Sequence, residues 1–308
     1  MQKITPCLWF DNNAEEAAKF YTSLFNNSKI GKVARYDEAS AKASGQAEGS
    51  VLTIEFEIEG YNFLGLNGGP AFKLKPSISF FLNFDPSKDS NARKNLDELW
   101  IKLSQGGKTL MPLDAYPFSE RYGWIEDKYG ISWQLILSNP DGEERPFIFP
   151  SLLFVGNVCG KAEEAVNFYL SVFKDNYQGI TARYPEGMEP DKEGTIMYTD
   201  FKIENNWFAA MDSAREHNYG FNEAISFIVE CKDQEEVDYY WNKLTSDGGA
   251  ESQCGWLKDK FGLSWQITPK ILVDYLSDKD AVKAQRVMMA MLQMKKIIIS
   301  ELEKAYRG

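Results

Sequence analysis

The sequence writes one unusual string twice, GWIEDKYGISWQL at 123–135 and GWLKDKFGLSWQI at 255–267. Each copy carries a Trp-Gln pair, Trp133-Gln134 and Trp265-Gln266. Neighbouring side chains on a strand face opposite ways, so the tryptophans are assigned to packing against helices and the glutamines to the other face. An amide there hydrogen-bonds to cleft hydroxyls or to a ligand. Alternation supplies further polar groups. In VLTIEFEI (51–58), Leu52, Ile54, Phe56 and Ile58 share one face, which leaves Thr53 and Glu55 on the other. IMYTDFKI (196–203) likewise sets Tyr198 beside Asp200. Glu55 and Asp200 are the carboxylates there that a metal ion would use.

Other reactive types are sparse. Cys7, Cys159, Cys231 and Cys254 form no CxxC pair, so they are read as reduced structural thiols rather than a zinc site or disulfide framework. The sole histidine, His217, lies in the loop SAREHNYGFN without a neighbouring motif and is read as solvated. Before Gly123 the first copy carries KTLMPLDAYPFSERY (108–122), where the second has only AESQC (250–254), ten residues fewer. An aromatic, charged loop beside a cleft acts as a lid, with Tyr116, Phe118 and Arg121 touching a ligand, or else fills a gap at the surface.

These groups need a scaffold, and duplication provides it. AEEAAKFYTSLF (14–25) returns as AEEAVNFYLSVF (162–173), and SISFFLNF (77–84) as AISFIVEC (224–231). Ala14, Ala17, Ala18, Tyr21, Leu24 and Phe25 follow helical spacing, with Asn13 and Glu16 set as a capping box. A second helix is marked by Leu96, Leu99, Trp100 and Leu103, and Gly106-Gly107 ends it. Each half therefore reads as strand, helix, three strands, then the same again. The fold class is α+β: two tandem domains, each a pair of βαβββ modules, plus a helical tail. Domain 1 spans 1–142, domain 2 spans 143–269 and the tail 270–308, where Ala281, Ala284, Met288, Met291 and Lys295 mark one helix face. Docking of that face on its own domains is expected.

Bulk properties exclude some partners. At 308 residues the chain suits two domains of about 150 residues each. A net charge of -11 repels a phosphate backbone, so no nucleic acid is expected. MQKITPCLWFDNN lacks the features of a signal peptide and no apolar run reaches membrane-span length, so a cytoplasmic protein without membrane contact is expected.

The ITPCLWF opening followed by AEEAxxFY, the LNGGP turn (66–70) and the closing DK(Y/F)G(I/L)SWQ resemble the vicinal oxygen chelate superfamily of glyoxalases, bleomycin-resistance proteins and extradiol dioxygenases. The resemblance is to its PhnB-like branch, often labelled demethylubiquinone methyltransferase, and it covers residues 3–138 and 147–269. It implies two glyoxalase-like domains with a ligand cleft. The branch label implies S-adenosylmethionine, but the one candidate loop, GLNGGP (65–70), runs into Pro70 and another strand and is read as a hairpin turn.

Metal-binding relatives place His, Gln or Glu at inward strand positions. Carried over, these positions fall on Thr5 and Phe149, on Thr53 and Tyr198, on Ser77 or Ser79 and Ala224 or Ser226, and on Gln134 and Gln266. One amide per site is short of the roughly three ligands a divalent ion wants, so no cofactor is expected and a metal is disfavoured. Single-copy relatives act as dimers, so the chain is expected to be a monomer resembling a fused dimer, with further dimerisation left open. The resulting expectation is a small-molecule binding protein of the glyoxalase fold. The alternatives are a metal-dependent lyase, isomerase or dioxygenase, and an interaction protein whose sites have decayed.

Overall fold

The computed structural model describes residues 2–308. The first repeat runs β1 (Ile4–Phe10), α1 (Ala14–Leu24), β2 (Ser28–Arg35), α2 (Glu38–Ser44), β3 (Val51–Ile58), β4 (Tyr61–Asn67), β5 (Ile78–Phe84), α3 (Ala92–Ser104), β6 (Lys108–Tyr116), β7 (Ser119–Glu126) and β8 (Ser132–Leu137). The second runs β9 (Ile148–Phe154), α4 (Ala162–Val172), β10 (Tyr177–Arg183), β11 (Ile196–Ile203), β12 (Asn206–Asp212), β13 (Ile225–Cys231), α5 (Gln234–Leu244), β14 (Ala250–Glu251), β15 (Trp256–Lys258) and β16 (Ser264–Pro269). The tail holds α6 (Lys270–Leu276), α7 (Ala281–Met291) and α8 (Ile299–Arg307).

Local patterning behaves as its periodicity dictates. Ile54, Phe56 and Ile58 are buried while Thr53 and Glu55 stay half-buried on the other face. Helix α1 buries Ala14, Ala17, Ala18 and Tyr21. Its expected Asn13–Glu16 capping box does not form. The Ala14 N–H instead donates to Oδ1 of Asn67, at the end of β4, at 3.0 Å. Asp212, ending β12, accepts from the N–H groups of Gly160 and Ala162 at 2.7 and 3.1 Å. The strand beneath each helix thus satisfies the orphan donors at the helix start, and fixes where that start sits on the sheet.

Among the described residues two eight-stranded sheets form, and each draws on both repeats. Sheet I runs β14-β15-β16-β13-β1-β4-β3-β2, and sheet II runs β10-β11-β12-β9-β5-β8-β7-β6. At the centre of sheet I, β1 lies antiparallel to β13 with Ile4 opposite Val229; at the centre of sheet II, β5 lies against β9 with Ile78 opposite Leu152. The two modules of one repeat therefore lie in different sheets. They meet through their apolar faces, with Phe63 and Phe80 rings 5.1 Å apart and, in the second repeat, Phe208 and Phe227 rings 5.2 Å apart. Facing two half-apolar sheets removes far more hydrocarbon from water than joining their edges would. The polar faces of sheets I and II consequently point outward, on opposite sides of the core.

Two further segments differ from expectation. Residues 108–122 are not a loop, since they build most of the hairpin β6–β7, with Tyr116 opposite Ser119. The tail is three short helices rather than one, because Asp280 caps a new start by accepting from the N–H groups of Val282 and Lys283. Its small core is Leu272, Val287, Ile297 and Leu302. It docks on its own chain where the second repeat lacks the long hairpin. The N–H groups of Cys254 and Gly255 donate to the carbonyls of Met294 and Lys295, both at 2.7 Å, and Gln234 of α5 bonds Ile297 and Ile299. Among the described residues no helix is long and apolar enough to cross a membrane.

Candidate functional site

Most of the duplicated string serves architecture. Asp127 accepts from Tyr21 Oη at 2.7 Å, Trp133 Nε1 at 2.8 Å and the N–H groups of Tyr129 and Ile131 at 2.8 and 3.1 Å. Asp259 repeats the knot with Tyr169 Oη, Trp265 Nε1 and the N–H groups of Phe261 and Leu263. The string therefore needs its Asp, its tight turn and its Trp together, and the partner tyrosine comes from the other module of the same repeat. Burial pushes Asp259 up to about 6 and raises Asp127 as well, while these hydrogen bonds pull both back down.

The glutamines face the opposite way and belong to different sheets. The carried-over positions regroup with the strands: Thr5, Thr53, Ser226 and Gln266 share the outer face of sheet I, while Ser79, Gln134, Phe149 and Tyr198 share that of sheet II.

On sheet II most of the polar groups are taken by the protein itself, Ser151 Oγ being the one left without a partner among the described residues. Gln134 is 1% exposed; Tyr122 Oη donates to its Oε1 at 2.6 Å and its Nε2 donates to Ser79 Oγ at 2.8 Å. Phe81 stacks on Phe149 at 5.2 Å and Tyr198 meets Phe81 edge-on. Asp200, also 1% exposed, receives Arg145 Nε at 2.8 Å and Nη2 at 3.2 Å, along with the Ile180 N–H at 2.9 Å. Arg145 comes from the segment between the repeats. Tyr116 and exposed Phe118 stack at 5.6 Å and Phe118 meets Tyr122 at 5.0 Å, so these rings cover the edge of this face. Arg121 is not with them. It projects to the helix side, where Nε donates to Asp97 of α3 at 2.7 Å.

The outer face of sheet I, its trough, is less completely buried. Thr5, Trp9, Thr53, Glu55, Leu64, Leu66, Ile228 and Gln266 are all half-buried on one face. At its floor Gln266 Nε2 donates to Ser226 Oγ at 2.9 Å, beside Cys7, whose thiol burial pushes up to about 11 against the pull of Gln266 and Ser226. Ser264 Oγ, fully buried next to Ser226 in the register, has no partner among the described residues. Trp256 lies opposite Gln266, and its ring meets Trp9 edge-on at 6.3 Å. A cavity of about 420 Å³ also opens beside Trp9, lined by Phe72, Lys73 and the turn at 126–130. A larger one, about 520 Å³, lies against α3 and Phe147, with Arg145 in its lining.

Sequence reasoning passed over Trp9 and read Cys7 as a structural thiol without placing it at the site, although the alternation in ITPCLWF puts both on the face of Thr5. It also missed Tyr122 and Arg145. His217 is not free in solvent, since its Nε2 lies 2.9 Å from Ser213 Oγ and burial lowers its pKa.

Neither implied cofactor fits the residues present. Among the described residues no three His, Cys, Asp or Glu side chains converge as metal ligands. On sheet I, Glu55 of β3 and Gln266 of β16 are four strand steps apart, roughly 19 Å along the sheet. GLNGGP is not a nucleotide loop, and it is not a hairpin either, because it carries the chain from sheet I to sheet II. Its glycines serve Trp9: a Cβ on Gly68 would fall 2.1 Å from the Trp9 ring, and Trp9 Nε1 donates to the Gly69 carbonyl at 2.7 Å.

Comparison with known proteins agrees with this architecture. The family described as 3-demethylubiquinone-9 3-methyltransferase matches residues 2–136 and again 146–268. A putative 3-demethylubiquinone-9 3-methyltransferase, PhnB protein, from Bacillus cereus is 40% identical, over 44% of this chain and 100% of its own, with a TM-score of 0.39. Glyoxalase I from Zea mays is 12% identical over 85% of this chain and 92% of its own, with a TM-score of 0.51, and its E144Q mutant is 10% identical with the same TM-score over 90% and 96%. At those identities the likeness is one of fold. No protein of curated function matches.

Proposed function

Since this chain belongs to the 3-demethylubiquinone-9 3-methyltransferase family and carries its domain twice, we propose that it is a small-molecule binding protein working from the trough of sheet I without a catalytic metal. The observation that carries this reading is the inequality of two equivalent faces. On sheet II Tyr122, Arg145 and stacked Phe81 and Phe149 satisfy or cover the site positions. On sheet I the corresponding positions stay half-buried, with apolar Trp9 beside polar groups at Thr5, Thr53, Glu55 and Gln266. A few polar groups set among apolar side chains are what a small organic ligand uses.

The decayed-site reading applies to sheet II alone, where Phe149 replaces a polar position and Arg145 neutralises Asp200. Methyl transfer, the chemistry in the family's description, finds no support in a glycine turn shaped around Trp9. In this reading one chain does the work of a two-chain assembly, since each sheet takes a module from each repeat.

The test is a thermal-shift screen of metabolites, with elemental analysis of protein purified without added metal. A ligand that raises Tm, and loses that effect in Trp9→Ala, is the expected result. A tight divalent ion at one or two per chain would overturn the reading.

A further inference from the structure

Glu55 and Asp200 occupy the same place in the two repeats. Each lies on the polar face of its strand, opposite a glycine at a β-bulge: a Cβ on Gly31 would fall 2.9 Å from Glu55 Cβ, and one on Gly179 would fall 1.9 Å from Asp200 Oδ1. The next backbone N–H donates to the carboxylate in both, from Lys32 at 3.4 Å and from Ile180 at 2.9 Å. Beyond that they differ. Asp200 holds the guanidinium of Arg145, which also lies 4.1 Å over the Trp207 ring. Around Glu55, among the described residues, no Lys or Arg nitrogen lies within 4 Å of the carboxylate. Lys29 pairs with Glu57 at 3.0 Å, and Lys258 of the same face pairs with Glu223 at 2.8 Å.

We propose, on the basis that the trough of sheet I binds small molecules, that its ligand is an organic cation whose guanidinium or amine head sits on Glu55. Sheet II displays the interaction with a side chain of the protein itself, and Arg145 there stands in for the ligand's head group. The ligand's body lies over Leu64, next to Glu55 in the register, and over Leu66 toward Trp9. A half-buried carboxylate among leucines gains more from a paired cation than one in open water, because the local dielectric is lower. An inorganic ion would want about three donors, and among the described residues no three His, Cys, Asp or Glu side chains converge, at Glu55 or elsewhere.

The test is calorimetric titration with phenylguanidine, and with benzyl alcohol as a neutral comparison of similar bulk. Wild type should bind phenylguanidine at one per chain and benzyl alcohol at least ten-fold more weakly. Glu55→Gln keeps the shape of the side chain and should weaken phenylguanidine at least ten-fold. Equal binding of both probes, or unchanged binding in Glu55→Gln, overturns the inference while leaving a binding trough in place. Loss of binding in Asp200→Asn with Glu55→Gln unaffected would put the probe on sheet II and overturns it too. If no cationic, neutral or anionic aromatic in a panel binds, the binding reading itself fails along with it.

Discussion

Arg145 lies with its guanidinium 4.1 Å over the ring of Trp207, from which position it forks onto the carboxylate of Asp200. One side chain from the junction thus makes a cation–π contact and a buried ion pair at once, and clamps the segment between the repeats onto sheet II.

Removing it should be expensive. Arg145→Ala leaves Asp200, 1% exposed, without its counter-charge, and should destabilise the fold by about 3–5 kcal/mol. Urea unfolding measures this. The double variant Arg145→Ala, Asp200→Ala should lose less than the sum of the two single variants, and strict additivity would refute the coupling.

The knot at Asp259 gives stability a pH dependence of defined sign. Its folded pKa of about 6 lies above the unfolded value, so the folded state holds the proton more tightly. The contribution is fully present below the unfolded value near 3.8 and is lost as pH rises through about 6. Between pH 4 and 7, wild type should lose roughly 2 kcal/mol relative to Asp259→Asn. Parallel pH profiles for the two proteins would show that Asp259 does not titrate in this range.

Tyr122 stabilises sheet II by satisfying a buried acceptor. Tyr122→Phe leaves Gln134 Oε1 without its 2.6 Å donor and should cost about 1–3 kcal/mol. Ligand binding on sheet I should not change. A thermal melt and a titration on the same sample separate the two effects.

Gly68→Ala tests the tie between the glycine turn and the trough. The added methyl meets the Trp9 ring at 2.1 Å, and overpacking of this kind costs about 1–3 kcal/mol. The larger consequence is displacement of Trp9, so ligand affinity on sheet I should fall with it. Affinity equal to wild type would remove Trp9 from the binding wall.

Faces and elements were legible in the sequence because alternation and helical spacing are local. Trp133 and Gln134 do face opposite ways, and Tyr21 is buried where its stripe puts it. The partner of each strand was not legible. Thr5 shares a sheet face with Gln266 of the other repeat rather than with Gln134 of its own, because pairing is decided by which apolar faces meet, a property of the whole chain. Asn67, not Asn13, caps α1 for the same reason. Arg145 lies in a stretch without periodicity, so nothing near it in the chain announces its contact with Asp200.

The seam of sheet I also sets an order of events during synthesis. Ile4 pairs with Val229, which leaves the ribosome more than two hundred residues later. The amino-terminal module must then wait, with one edge of β1 unpaired, until most of the second repeat has emerged. Sheet II has a shorter delay, since Ile78 of β5 pairs with Leu152 of β9, 74 positions later in the chain against 225 for Ile4 and Val229. Such distant pairing slows folding and exposes a strand edge in the interim. The half of the molecule with the trough is therefore the last to close, and the most exposed to misassembly with a neighbouring nascent chain.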